Sequence, residues 1–259
     1  MNDIYNLSFF QVGAAYVFVV IVLVILRMRG IKREKALVIS SIRMTLQLIL
    51  VGYLLVYVFD NSNPFITLAI LLVMQIFSIH TVFRTYKNKL SPSLKKVIAL
   101  SMSIGTLACI AYFLFVVIQI SPWYNPQYFI PITGMIVGNS MTGISLGTKA
   151  LTEGMSLRKI AVEEALILGA SPKEAVKSVI NSSFDGAILP TINSMIGMGI
   201  VFLPGMMTGQ ILSGVSPTTA IAYQIAIMLS ILGAVSLTVI IMLTLGYKTY
   251  FNEQSQLAE

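Results

Sequence analysis

Seven apolar runs divide this chain: Phe9 to Leu26, Ala36 to Phe59, Phe65 to Phe83, Val97 to Ile120, Phe129 to Leu146, Gly186 to Leu212 and Thr218 to Gly246. Each is long enough to cross hydrocarbon as a helix, which takes about 20 residues. Little chain remains for anything else. Of the 259 residues 56% are apolar and 10% charged, whereas a soluble domain carries roughly a quarter charged residues, so a water-soluble enzyme is excluded. The expected fold is all-α: a polytopic membrane protein with seven transmembrane helices, forming one permease-sized domain over residues 1–259. The first run follows no basic segment and ends in Arg27-Met28-Arg29, which reads as a retained span rather than a signal peptide.

The net charge of +7 would suit a nucleic-acid binder if the basic residues formed one face. Instead they sit between the apolar runs. Arg27, Arg29, Lys32, Arg33 and Lys35 occupy the first connection, and Arg84, Lys87, Lys89, Lys95 and Lys96 the third. The alternate connections, Asp60 to Pro64, Ser121 to Tyr128 and Ser213 to Pro217, contain no Lys or Arg, nor does Met1 to Ser8. This is the positive-inside pattern. It places the amino terminus outside and the carboxyl tail, with Lys248, inside, and it predicts no nucleic-acid partner. The single cysteine, Cys109, excludes an intrachain disulfide.

The longest inner connection, Gly147 to Asp185, differs from the others because its basic and acidic residues balance. Leu157, Ile160, Ala161, Ala165 and Leu168 recur at helical spacing, and Gly169 stands where a helix takes a left-handed residue after its end. Ser171-Pro172-Lys173-Glu174 then supplies an N-cap, a proline at the first helical position and a glutamate three residues on, which is a capping box. Two short helices are expected, lying on the membrane surface or docking a cytoplasmic partner.

Residues able to carry chemistry are few. No G-x-x-x-x-G-K-[ST] motif cradles a nucleotide, and one Cys with one His gives no zinc spacing. All ten acidic residues lie outside the expected hydrocarbon, so the usual carrier of proton or sodium coupling is missing. In the second run, Arg43 lies about 10 Å past the inner interface at 1.5 Å per residue, with Gln47 one turn on. A guanidinium at that depth snorkels to headgroups or faces protein or water.

Runs five and six have a different texture. Gly134 and Gly138, Gly143 and Gly147, and Gly205 and Gly209 form small-x-x-x-small pairs that let helices approach closely in lipid. In run six, Gly197, Gly199, Pro204, Gly205 and Gly209 make a continuous helix improbable, since Pro204 lacks an amide. Interrupted spans point to translocation sites. Around this one stand Asn139, Asn193, Gln210 and Gln224, neutral groups suited to line a pathway, and Met206 and Met207, whose thioethers either pack or touch a soft metal.

The segments Arg43 with Gln47-Leu48 and Val51-Gly52-Tyr53, Pro131 to Met141, Leu168-Gly169-Ala170-Ser171-Pro172, and Leu203-Pro204-Gly205-Met206-Met207-Thr208-Gly209-Gln210-Ile211-Leu212 through Ser216-Pro217 to Tyr223-Gln224-Ile225 resemble the permease family of the bacterial iron exporters. That family also includes the membrane half of a plant aluminium-tolerance transporter. The resemblance implies the membrane subunit of an ATP-binding-cassette transporter in the cell inner (plasma) membrane. It further implies a homodimer of this chain, a separate cytoplasmic ATPase that holds ATP and magnesium, and a metal species as cargo; this chain itself would carry no cofactor and no catalytic residue. Glu163, Glu164, Ala165 and Gly169 resemble the E-A-A-x-x-x-G signature by which permeases engage their ATPase, with Glu164 in place of the first alanine. The same topology also suits a seven-helix receptor or an ATPase-independent channel or carrier. A retinal receptor would need a lysine in the last run, which has none.

Overall fold

The computed structural model describes residues 8–86, 90–252 and 254–257. The expected outer segment Met1 to Leu7, and Lys87 and Lys89 of the second basic connection, lie outside the described residues. Two compact units are distinguished, one ending at Ser62 and one beginning at Asn63.

The first unit consists of α1 (Phe9–Ala15), α2 (Val17–Met28) and α3 (Glu34–Asp60). Ser8 starts α1 with a capping box: its hydroxyl accepts from the Gln11 amide at 3.3 Å while its own amide donates to Gln11 Oε1 at 2.7 Å. Tyr16 keeps a right-handed backbone between α1 and α2, so Phe10–Met28 forms one membrane-length stretch. The turn to α3 passes through Gly30, whose φ of +65° a side chain would oppose. A hydrogen bond between the Tyr16 and Thr45 hydroxyls ties α2 to α3.

The second unit contains α4 (Pro64–Thr85), α5 (Pro92–Tyr112) extended by a π turn (Phe113–Ile118), α6 (Pro126–Leu157), α7 (Lys159–Ile167), α8 (Pro172–Ala175), α9 (Lys177–Gly197), α10 (Gly205–Leu212), α11 (Pro217–Gly246) and a final 3-10 turn (Tyr247–Tyr250). Five of these helices begin in the same way, with Ser or Asn followed by Pro. Asn63, Ser91, Asn125, Ser171 and Ser216 each accept an amide of the first turn through the side chain. The proline's missing N–H costs nothing there, because no earlier carbonyl awaits it.

Inside the unit, α11 packs against α5, α6, α9 and α10, and α6 also meets α4, α5 and α9. Burial from lipid contributes little to helix association, so close van der Waals contact has to hold the bundle. Small residues provide it. A Cβ on Gly105 would lie 3.0 Å from the Cα and N of Thr238, joining α5 to α11; one on Gly143 would lie 2.6 Å from Val235 Cγ1, and one on Gly147 3.1 Å from Met242 Cε. Of the three expected small-residue pairs, only Gly143 and Gly147 show such packing. Gly134 makes ordinary contact with Met74, while Gly138, Gly205 and Gly209 have nothing within 4 Å of a built Cβ.

Among the described residues six helices are long and apolar enough to cross a membrane, where seven spans were expected. The missing one is the run Gly186 to Leu212: α9 stops at Gly197 and α10 starts only at Gly205. The inner connection also differs from expectation. Continuous helix carries α6 to Leu157, because Gly147 to Leu157 loses hydropathy but contains no proline, and the second "short helix" continues through Val176 into the full length of α9. Hydropathy marks where a membrane ends, not where a helix does.

Candidate functional site

The interruption between α9 and α10 is built from the residues that predicted it. Gly199 takes a φ of +83°, open to glycine and strained for any side chain. Its amide donates to the Phe202 carbonyl at 2.9 Å, while the Val201 and Phe202 amides donate back to the Gly197 carbonyl at 2.8 and 3.3 Å. The turn is thus closed on the end of α9. Pro204 then stands as N-cap of α10 with no side-chain cap, leaving the first amides of α10 unpaired by any capping group.

The Thr208 hydroxyl donates to the Pro204 carbonyl at 3.1 Å, and the polar residues predicted for this region are amides without charge. Gln224, on α11, is buried, and its Oε1 has no hydrogen-bond partner among the described residues; Gln210 Oε1 on α10 is likewise buried without one among them. Such acceptors cost free energy unless water or a ligand meets them. Met207 is buried and Met206 packs partly against the core. Asn139 and Asn193 are exposed, and Asn139 spends its Nδ2 on its own helix, donating to the Met135 carbonyl at 2.8 Å. Arg43 and Gln47 belong to the first unit and are exposed one turn apart on α3. Among the described residues no three His, Cys, Asp or Glu side chains come together.

Sequence reasoning missed three buried hydroxyls. Ser140 and Thr148 on α6 and Ser183 on α9 are enclosed, and their oxygens lack partners. Ser183 falls on the same α9 face as Val179 and Ala187, and that face meets α6 at Gly154 and Gly147. The sequence signal was a period-four row of buried positions, Val179, Ser183, Ala187 and Thr191, hidden in a stretch of low hydropathy.

The connection between α6 and α9 places the remaining predicted residues. Gly169 follows α7 with φ +91°, and Ser171 and Glu174 form the expected capping box. The Ser171 hydroxyl and amide donate to Glu174 Oε2 at 2.6 and 2.9 Å. Those bonds, with Lys177 and Lys173 nearby, hold the Glu174 carboxyl below its ordinary pKa. On α7, Glu163 pairs with Lys159 at 3.8 Å, Glu164 is exposed and Ala165 half-buried. Val162 turns inward and is buried, whereas Leu157, Ile160, Ile167 and Leu168 are 86%, 73%, 85% and 87% exposed. This helix is apolar on both sides. Only one side is used.

Long apolar helices, a span interrupted by a glycine-and-proline turn, and neutral acceptors beside it define a polytopic membrane protein with a discontinuous helix. The chain belongs to the family described as "Uncharacterised protein family (UPF0014)", whose model matches residues 9–251. It is 38% identical to the UPF0014 membrane protein slr1647 of Synechocystis sp., over 90% of each chain. It is 32% identical to a protein of Escherichia coli (strain K12) named "Probable iron export permease protein FetB", over 99% of this chain and 97% of that one. Identity is again 32% with "Protein ALUMINUM SENSITIVE 3" of Arabidopsis thaliana, over 95% of this chain and 88% of that one. The family expected from the span-six motif is therefore the family found. No solved structure matches the chain.

Proposed function

We propose that this chain is the membrane-spanning permease subunit of an ATP-binding-cassette transporter that exports iron or a related metal species, driven by a separate cytoplasmic ATPase. The observation that carries the reading is the outward apolar face of α7, formed by Ile160, Ile167 and Leu168 with Leu157 before it. A connection between spans has no reason to expose four large aliphatic side chains unless lipid or a partner covers them. Its position favours a lever. It joins α6 to α9, which pack closely from Gly154 and Val179 to Gly147 and Ala187, and α9 ends at the interruption. Movement of α7 therefore reaches the turn at 198–204 through a stiff helix pair.

In this reading the interrupted element α9–α10 completes seven crossings, with the amino terminus outside and the carboxyl terminus inside the plasma (inner) membrane. Two copies of the chain work with two ATPase subunits. ATP and magnesium belong to the ATPase, and this chain catalyses nothing. Glu163, Glu164, Ala165 and Gly169 shape the docking connection. Gln210, Gln224, Asn139, Asn193, Met206, Met207, the carbonyls near Pro204, and Arg43 with Gln47 on α3 are assigned to the pathway. Neutral amide oxygens suit a hydrated or chelated cation better than a bare one, which prefers anionic ligands. The name of the Escherichia coli relative supports the choice of cargo. Iron efflux from loaded cells tests it: export should require both this chain and its ATPase and fall in a Gln210→Leu variant of normal abundance. Unchanged efflux in that variant removes Gln210 from the pathway, and efflux unaffected by deleting the chain removes the cargo assignment.

A further inference from the structure

A cavity of about 780 Å³ lies where the start of α9 meets the end of α11, and the reading above makes no use of it. Three lysines contribute to its lining, Lys173 and Lys177 from the α8–α9 start and Lys248 from the 3-10 turn. Among the described residues none of their ammonium groups makes a close ion pair or a hydrogen bond. The single carboxylate in the lining, Glu174, is bonded by the hydroxyl and amide of Ser171 and is attracted by Lys177 and Lys173 beyond ion-pair distance, so one negative charge stands against three positive ones. Asn181 and Tyr247 add neutral donors, and Ile180 and Leu245 add apolar wall.

These residues come from the inner connection before run six and from the end of the last apolar run. Leu245 ends the apolar part of α11, with Lys248 three residues on. Ile180 stands one turn beyond Lys177 on α9. A ligand filling such a space presents negative charge at one end and carbon at the other.

We propose that this cavity binds the phosphodiester headgroup of an anionic phospholipid, with the lysines on the phosphate and the glycerol and first acyl carbons against Ile180 and Leu245. Basic pockets between spans select such headgroups because each nearby lysine is attracted to anionic lipid. Here the attraction is directed by a cavity rather than spread over a surface. A lipid in this place ties the start of α9, and with it the connection carrying α7, to the end of α11.

The test uses the full chain reconstituted in nanodiscs of phosphatidylglycerol or of phosphatidylcholine, with retained lipid counted by native mass spectrometry and unfolding followed by heating. Both leaflets present the same lipid, so the result is independent of the proposed orientation and of any ATPase. The wild type should retain phosphatidylglycerol preferentially and melt higher with it. A Lys173→Gln, Lys177→Gln, Lys248→Gln variant should lose that preference, on the order of tenfold or more, whereas replacing the same three lysines by Arg should keep it. Because Gln also removes charge without altering size greatly, equal melting of the two variants in phosphatidylcholine shows that both are folded; if the Gln variant does not fold, the single Lys248→Gln variant takes its place. Four results overturn the proposal: no preference in the wild type; a preference that survives in the Gln variant; equal loss in a Lys95→Gln, Lys96→Gln control, which would mean diffuse attraction; or the same stabilisation from inorganic phosphate in phosphatidylcholine discs, which would assign the cavity to a soluble phosphate. A Gln variant that keeps its lipid but no longer holds a protein partner would assign the cavity to that partner instead.

Discussion

Gly154 of α6 and Val179 of α9 approach so closely that a Cβ on the glycine would lie 2.7 Å from the valine Cγ1. Gly154 lies just before α7 and Val179 at the start of α9, so this contact joins the two helices where the connection leaves and re-enters the bundle. Gly154→Ala should destabilise the chain by roughly 1–3 kcal/mol through overpacking, seen as a lower melting temperature in detergent. Adding Val179→Ala should recover most of the loss. If the single variant melts like the wild type, the contact is not tight.

Gln224 predicts the reverse balance between stability and activity. Its buried Oε1 has no partner within the described protein, and an unmet buried acceptor costs about 1–3 kcal/mol. Gln224→Met should therefore leave the melting temperature unchanged or raise it while lowering metal export at equal abundance. A destabilised variant with full export would show that the amide is structural.

The capping box sets a pH dependence for the start of α8. Because the Ser171 bonds hold the folded-state pKa of Glu174 below its ordinary value, the stabilisation is present above the unfolded pKa and is lost as pH falls through the folded one. Protection of the Ser171 and Glu174 amides, measured as exchange relative to the intrinsic rate at each pH, should be high near neutral pH and fall as the carboxyl is protonated. In Ser171→Ala that fall should vanish, with low protection throughout. Identical profiles in both proteins would contradict the assignment.

Much of this architecture was legible because it depends on local chemistry. Gly199 and Pro204 announce the interruption by what their backbones permit, and Ser171-Pro172-Lys173-Glu174 closes a hydrogen-bond ring within four residues. Quantities set by neighbours were not legible. Gly143 and Gly205 look alike in sequence, yet the first meets Val235 and the second open space, since only the fold decides which face has a partner. The same is true of Val162 and Ile160, two residues apart on α7, one buried and one exposed. Run six was counted among seven spans, and the interruption that its glycines and Pro204 predicted leaves no single helix there long and apolar enough to cross among the described residues. Its polar residues were found individually, but the buried hydroxyls of Ser140, Thr148 and Ser183 were passed over because serine and threonine are ordinary in such helices.

The account rests on a motor docking at α7, and affinity purification of the full chain from its own membrane tests this most directly. The ATPase activity that accompanies the wild type is measured beside that of an Ile160→Asp, Leu168→Asp variant. Both side chains point outward, so the variant should reach the membrane in normal amount and remain folded. The account predicts an ATPase that co-purifies with the wild type and is lost, together with export, in the variant. A well-folded wild type that brings no ATPase, or a variant that retains it undiminished, would contradict the account.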